Sequence, residues 1–274
     1  MIKRRLGVFV ILFLAMTSGA FAVETGTAEK RLKEPGMAFI EENKKLNFYS
    51  DYEYGWVKLA GNKGAWKVLT NIVAYAFDNG FSPYLDVDAW DRFGDKNTLI
   101  NAGSYFRFKD SSYLRSEIGF GKDATYLPKF QTTQEYQRRL FKDIFWQFGY
   151  RFLQHPDGDI HIVYPGLIYY FGNNYLSMFY NASFTAGRGS AQWGTLKGIF
   201  ALNDRLNFSL GTAVGERLYD INLLSASKEY GYIIFAGFDL QVYKEWRLRL
   251  GYSYSREVPD FIKRSMDAGF SVKF

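Results

Sequence analysis

Few residues in this chain are suited to chemistry. His155 and His161 are the only histidines, and they flank the loop HPDGD at 155–159. A lipid-acting hydrolase needs a nucleophilic serine, a histidine base and a third group that orients the imidazole. His161, on DIHIVYP, reads as facing inward among polar neighbours, where such a base would stand. His155 stands beside Pro156 and reads as a loop residue. No G-x-S-x-G elbow accompanies them. Two ordinary polar residues at the mouth of a barrel demand less than a triad does. A lipid-acting enzyme is therefore the third of three functional readings.

Asp86, Asp88 and Asp91 cluster on YLDVDAWDRF, and the first two share one strand face. Metal sites need such clusters. Charges shut inside a protein are normally paired, however, and the sequence has arginines to pair them. The reading is a network of ion pairs, with no catalytic residue, no metal and no cofactor. Cysteine is absent, which removes thiol catalysis, redox function and thiolate metal sites.

The elements that position these residues are strands. IFWQFGYRFLQ (144–154) puts Ile144, Trp146, Phe148, Tyr150 and Phe152 on one face, with Gln147, Gly149 and Arg151 on the other. NYLSMFYNASF (174–184), RLNFSLGTAVG (205–215) and WRLRLGYSYS (246–255) alternate in the same way. Period-two alternation over about ten residues is the strand signal, and about 9–11 residues cross a bilayer at a tilt. Runs of this kind predict fourteen strands between residues 46 and 274, with twelve as the alternative count. Short connections (78–80, 109–112, 141–143, 172–174, 202–204, 244–245) alternate with longer ones (57–65, 122–129, 155–159, 186–190, 217–229). Outer-membrane barrels have short periplasmic turns and longer outer loops. The fold class is an all-β, antiparallel transmembrane β-barrel with an even number of strands. A soluble sandwich shares the alternation.

Three features favour the membrane. The chain starts MIKRRLGVFVILFLAMTSGAFA, in which a basic n-region precedes an apolar run and Ala20-Phe21-Ala22. That pattern predicts a Sec-type signal peptide over 1–22, cleaved near Ala22. Residues 23–45 are charged and aperiodic, which predicts a short periplasmic tail before a barrel at 46–274. Aromatics make up 19% of the chain, an excess that interfacial girdles use. The final stretch, DAGFSVKF, alternates to its last residue, with Phe270 and Phe274 on the apolar face. Such a strand resembles the assembly signal that the barrel-insertion machinery reads. The net charge is +6, but Lys3, Arg4 and Arg5 supply half of it, and no basic cluster with interleaved aromatics marks a nucleic-acid site. The expected location is the outer membrane of a Gram-negative bacterium, among outer-membrane lipid and lipopolysaccharide.

The stretch GFGKDATYLPKFQTTQEYQRRL (119–140), with FWQFGYRFL (145–153) and YPGLIYYFGNNYLSMFYN (164–181), resembles the YaiO family of outer-membrane barrels. The likeness rests on Leu127-Pro128-Lys129, Glu135-Tyr136, Gly-Tyr-Arg-Phe at 149–152, and Tyr-Phe-Gly-Asn-Asn-Tyr at 170–175, with Asp91-Arg92-Phe93-Gly94 upstream. It implies an outer-membrane location and fixes no biochemical activity. Some relatives are thought to accompany glycan-synthesis or export proteins.

Function is then sought on the inward face. Alternation puts Arg107, Arg115, Glu117, Arg151, Arg247, Arg249, Asp86 and Asp88 there as lumen-lining candidates. Asp51, Glu53, Glu135, Arg139, Asp267 and Lys273 join them, and Tyr49, Tyr75 and Tyr105 are assigned to the same face. Arginines offer planar contacts to carboxylates, and tyrosines offer stacking faces to sugars. The leading expectation is a non-enzymatic, porin-like channel or conduit for an envelope glycan, associated with polysaccharide export. The alternative is a closed interaction barrel that binds a partner through outer loops, RLYDINLLSASKE above all.

Overall fold

The computed structural model describes residues 46–59, 61–108, 112–156, 158–185, 189–217, 229–257 and 261–274. The expected signal peptide, the tail and the centre of RLYDINLLSASKE lie outside them. Fourteen strands form one closed antiparallel barrel. They are β1 (Leu46–Leu59), β2 (Asn62–Tyr75), β3 (Phe81–Arg92), β4 (Asp95–Arg107), β5 (Tyr113–Lys122), β6 (Phe130–Arg139) and β7 (Ile144–His155). The second half is β8 (Gly158–Phe171), β9 (Asn174–Thr185), β10 (Gly189–Ala201), β11 (Leu206–Arg217), β12 (Glu229–Gln241), β13 (Trp246–Glu257) and β14 (Phe261–Lys273). Each strand pairs with its sequence neighbours. β14 closes on β1 from Asn47↔Lys273 to Leu59↔Phe261, so no edge is left unpaired.

The period of two becomes two faces. Outward, Leu69, Val73, Leu85, Ile100, Ile118 and Leu250 form an exposed apolar belt. Aromatic chains flank it. At one end Trp246 stacks on Phe270, which also meets Phe48, and Tyr75 packs on Phe77. At the other end Phe120, Phe130, Phe152 and His161 form a continuous run of ring contacts. An exposed apolar belt between two aromatic girdles suits a bilayer and would cost a soluble protein heavily.

The connections need a correction. Most of the loop segment expected over 57–65 is strand, because β1 continues to Leu59 and β2 starts at Asn62. β3 and β4 join through Phe93 and Gly94 alone, both with positive φ (55° and 89°). Only 123–129 and 218–228 are long, and both belong to the same end, the loop end. Short turns mark the periplasmic side of such barrels and longer loops the outer side, so the loop end is the outer one. The opposite end is the turn end.

The core sits inside the barrel, where water would otherwise be. Leu153, Ile160, Ile162, Tyr164 and Trp193 form one buried cluster with Phe179 against it. Val57, Trp66 and Phe261 form a second, and Ala213, Ile233 and Phe235 a third. Inward glycines make room for these rings: a Cβ on Gly166 would overlap Phe179, and one on Gly211 would overlap Phe235.

Candidate functional site in the barrel lumen

A single arginine organises the middle of the lumen. Arg115 on β5 reaches Glu117 Oε2 at 2.8 Å and Glu135 Oε2 at 3.4 Å. Each carboxylate is also held by a tyrosine two strands away. Tyr84 on β3 donates to Glu117 Oε2 at 2.6 Å and accepts from Arg115 Nε at 2.9 Å. Tyr164 on β8 donates to Glu135 Oε1 at 2.6 Å.

The two halves have the same construction. The Tyr84 ring crosses β4 over Gly103, and the Tyr164 ring crosses β7 over Gly149; a Cβ at either glycine would overlap the ring. A tyrosine can span an intervening strand only where that strand lends no side chain. Tyr–Gly–Glu therefore recurs as β3–β4–β5 and, in reverse order, as β8–β7–β6. Arg115 joins the two, so the network ties six adjacent strands together. Arg151 lies beside it, buried, with Nε donating to Thr133 Oγ1 at 3.1 Å. Arg115 and Arg151 balance Glu117 and Glu135, so these four are formally neutral together. Burial of charge is tolerated on that condition.

Toward the loop end the lumen is filled further. Lys263 pairs with Glu53 at 2.7 Å across Gly55. Arg92 stacks on Trp66 and Tyr126, with its guanidinium 4.3 and 4.4 Å from the ring centroids. Tyr126 and Thr125 belong to the 123–129 loop, whose backbone N–H groups bond Asn97 Oδ1, so that loop folds inward against β4 and β3. Toward the turn end the wall is more open. Arg247 pairs with Asp239 at 2.8 Å, and their side chains are 25% and 40% exposed. Arg115 and Glu117, by contrast, are 5% and 2% exposed. Above this pair, Arg249 Nη1 donates to Tyr49 Oη at 3.1 Å.

The sequence-derived candidates divide accordingly. Arg115, Glu117 and Arg151 come together at the centre. Asp86 accepts from Asn101 at 3.1 Å, and Asp88 accepts from Thr70 at 2.6 Å, both buried on the same wall. Arg247 and Arg249 stand apart from them, toward the turn end. Arg107 has inward parity, one inward position beyond Tyr105, but is exposed at the turn end. Tyr49 and Tyr105 are inward, whereas Tyr75 is outward in the aromatic girdle. Phe270 lies on the outward face, and Phe274 is exposed, its N–H bonded to Leu46 O at 2.8 Å.

The placement of His161 is corrected. It is exposed on the outward face, with Tyr150 Oη 2.8 Å from its Nδ1 and Phe152 against its ring. On β8 the inward residues are Ile160, Ile162 and Tyr164, so the polar-inside rule is reversed there. His155 ends β7 rather than lying in a loop, with the opposite parity. The two histidines therefore stand on opposite faces of the wall and share no site. Among the described residues, no group of three His, Cys, Asp or Glu side chains is placed to hold a metal.

Tyr84, Tyr164, Trp66 and Lys263 were not singled out from the sequence, and Arg92 entered only through the Asp91-Arg92-Phe93-Gly94 motif. Tyr84 carried a signal, since it shares parity with Asp86 and Asp88. Tyr164 carried none, because its neighbours on that face are apolar.

A closed, lipid-faced barrel with polar and ionic groups on its inward face defines a membrane β-barrel of the bacterial outer-membrane type. A family model, the YaiO membrane beta barrel domain, matches residues 51–208, and the chain belongs to that family. The match contains the whole Arg115 network. Among curated proteins none matches. Solved barrels share the architecture at low identity. The CymD monoaromatic hydrocarbon channel gives a TM-score of 0.62 at 8% identity, covering 93% of this chain and 94% of that one. The Pseudomonas putida toluene transporter TodX gives 0.58 at 8%, covering 93% and 95%. A bacterial polysaccharide outer membrane secretin gives 0.58 at 9%, covering 85% and 100%. Likeness at this identity concerns the fold alone.

Proposed function

We propose that this protein is a non-enzymatic outer-membrane barrel with a closed lumen, acting through its ends and its lipid face. One observation carries the reading: the Arg115 network fills the inner wall along six adjacent strands, β3 to β8, with Arg115 and Glu117 only 5% and 2% exposed. A standing aqueous pore keeps its lining charges wet and commonly one-signed. Here the central four, Arg115, Arg151, Glu117 and Glu135, are dry and neutral together, and Tyr84 and Tyr164 hold the two carboxylates. The surroundings of His161 support the non-enzymatic part: its Nδ1 lies 2.8 Å from Tyr150 Oη, where a triad would set a serine or an orienting carboxylate.

A gated glycan conduit is the second reading. The half-exposed Arg247–Asp239 pair favours it, with Arg249 and Tyr49 above. These offer a sugar acid both hydrogen bonds and a ring on the turn-end side. Transport would then require the Arg115 network to part.

Planar-bilayer recording separates the two. A closed barrel passes no steady current with or without added polysaccharide. A gated conduit passes none alone but opens in bursts when an acidic polysaccharide or a partner is added on the turn-end side. Substituting each histidine by alanine and following phospholipid and lipid A turnover tests the enzymatic reading, which the proposal expects to fail.

A further inference from the structure

The outward face at the loop end is not uniform. On β13, β14, β1 and β2 it carries Arg256, Arg264, Lys58 and Lys63, all exposed. The strand register brings them together. Arg256 faces Ile262, two residues from Arg264; Arg264 faces Trp56, two residues from Lys58; and Lys58 faces Lys63 directly. Same-face neighbours at such offsets lie within about 8 Å of each other. On β6 to β11 the described outward positions at this end include Asp159, His161 and Glu216, and no lysine or arginine.

Two observations point to a ligand. The first is the Lys58↔Lys63 pair. Like charges directly opposed across strands destabilise a sheet. Among the described residues, none of the four cations has an acidic partner within ion-pair distance; the nearby Lys67 does, in Asp91 at 3.4 Å. The second is the surroundings. The Arg264 guanidinium lies over the Tyr254 ring at 5.9 Å, and Tyr54 packs edge-on to Trp56 at 5.0 Å. Aromatics of this kind mark the interface between the apolar belt and the headgroups. The cations therefore sit at headgroup height, directly above an acyl-chain surface.

We infer that this sector binds the phosphorylated sugar headgroup of an outer-leaflet glycolipid, with its acyl chains on the belt below. The phosphates lie among Lys58, Lys63, Arg256 and Arg264 and relieve the Lys58–Lys63 repulsion. The site is independent of whether the lumen opens.

The test uses the full chain in detergent, titrated with diphosphorylated lipid A. Lipid A with both phosphates removed and inorganic phosphate serve as the comparison probes. The variant is K58Q/K63Q/R256Q/R264Q. The control is R138Q/K142Q/R205Q/K244Q, which removes four exposed cations from the turn end. The account expects lipid A to bind the first variant about tenfold more weakly or worse. The control should bind as wild type does. Dephosphorylated lipid should bind poorly, and inorganic phosphate at matched concentration should not displace lipid A. Equal affinity in the first variant overturns the proposal, as does equal binding of the dephosphorylated lipid. Displacement by free phosphate overturns it in favour of a simple anion site. Folding is checked by heat-modifiable gel migration. If the variant fails that check, the salt dependence of wild-type binding decides, and an affinity unchanged by salt overturns the assignment.

Discussion

Tyr164 lies across Gly149, and its hydroxyl meets Glu135 on the strand beyond. The same relation links Tyr84, Gly103 and Glu117. A methyl group at either glycine would occupy the space of the ring. We predict that Gly149→Ala and Gly103→Ala each lower stability by about 1–3 kcal/mol through overpacking and a lost buried hydrogen bond. Pairing Gly149→Ala with Tyr164→Phe should cost less than the sum of the two, because both break one contact. Denaturant midpoints in detergent would show this, and strict additivity would separate Gly149 from Tyr164.

Arg115 holds two buried carboxylates, so its loss leaves both without their cation. Arg115→Met should cost about 3–5 kcal/mol, the range for breaking a buried pair. Neutralising all three groups, as Arg115→Met/Glu117→Gln/Glu135→Gln, should recover most of that loss while keeping the tyrosine contacts. A triple variant no more stable than the single one would mean that the charges are not coupled.

The strands were legible because the bilayer imposes period two on one face of nearly every strand. Arg115 and Glu117, or Asp86 and Asp88, could be assigned to one face by counting. β8 was the exception. Its inward side packs Ile160, Ile162 and Tyr164 against Trp193, so both of its faces are apolar and the alternation loses its direction. His161 was misplaced for that reason. Loop lengths misled similarly, since long strands projecting beyond the membrane absorb residues that look like loop. The glycine wells were invisible, because a glycine's role depends on which ring crosses it from the neighbouring strand. Arg107 had the right parity, but parity is silent about height along the barrel.

His161 is bound to Tyr150 on the lipid face. His161→Ala should therefore cost no more than about 1 kcal/mol. It should also leave the phospholipid and lipid A composition of cells unchanged. Altered lipids, restored by the wild-type chain, would revive a catalytic role.

The chain has no cysteine, so single introduced thiols report lumen access without interference. Asp239 is 40% exposed at its side chain, whereas Thr133 is fully buried. Asp239→Cys should react with a small water-soluble maleimide in the folded barrel. Thr133→Cys should react only after unfolding. Comparable rates at both positions would mean that water runs through the central network.

The closed lumen is tested most directly by the conductance of the wild-type protein in a planar bilayer. The buried, neutral Arg115 network predicts insertion without any steady ion current at either polarity. A stable ohmic current through wild-type barrels, shifted in ion selectivity by Arg115→Met, would contradict it.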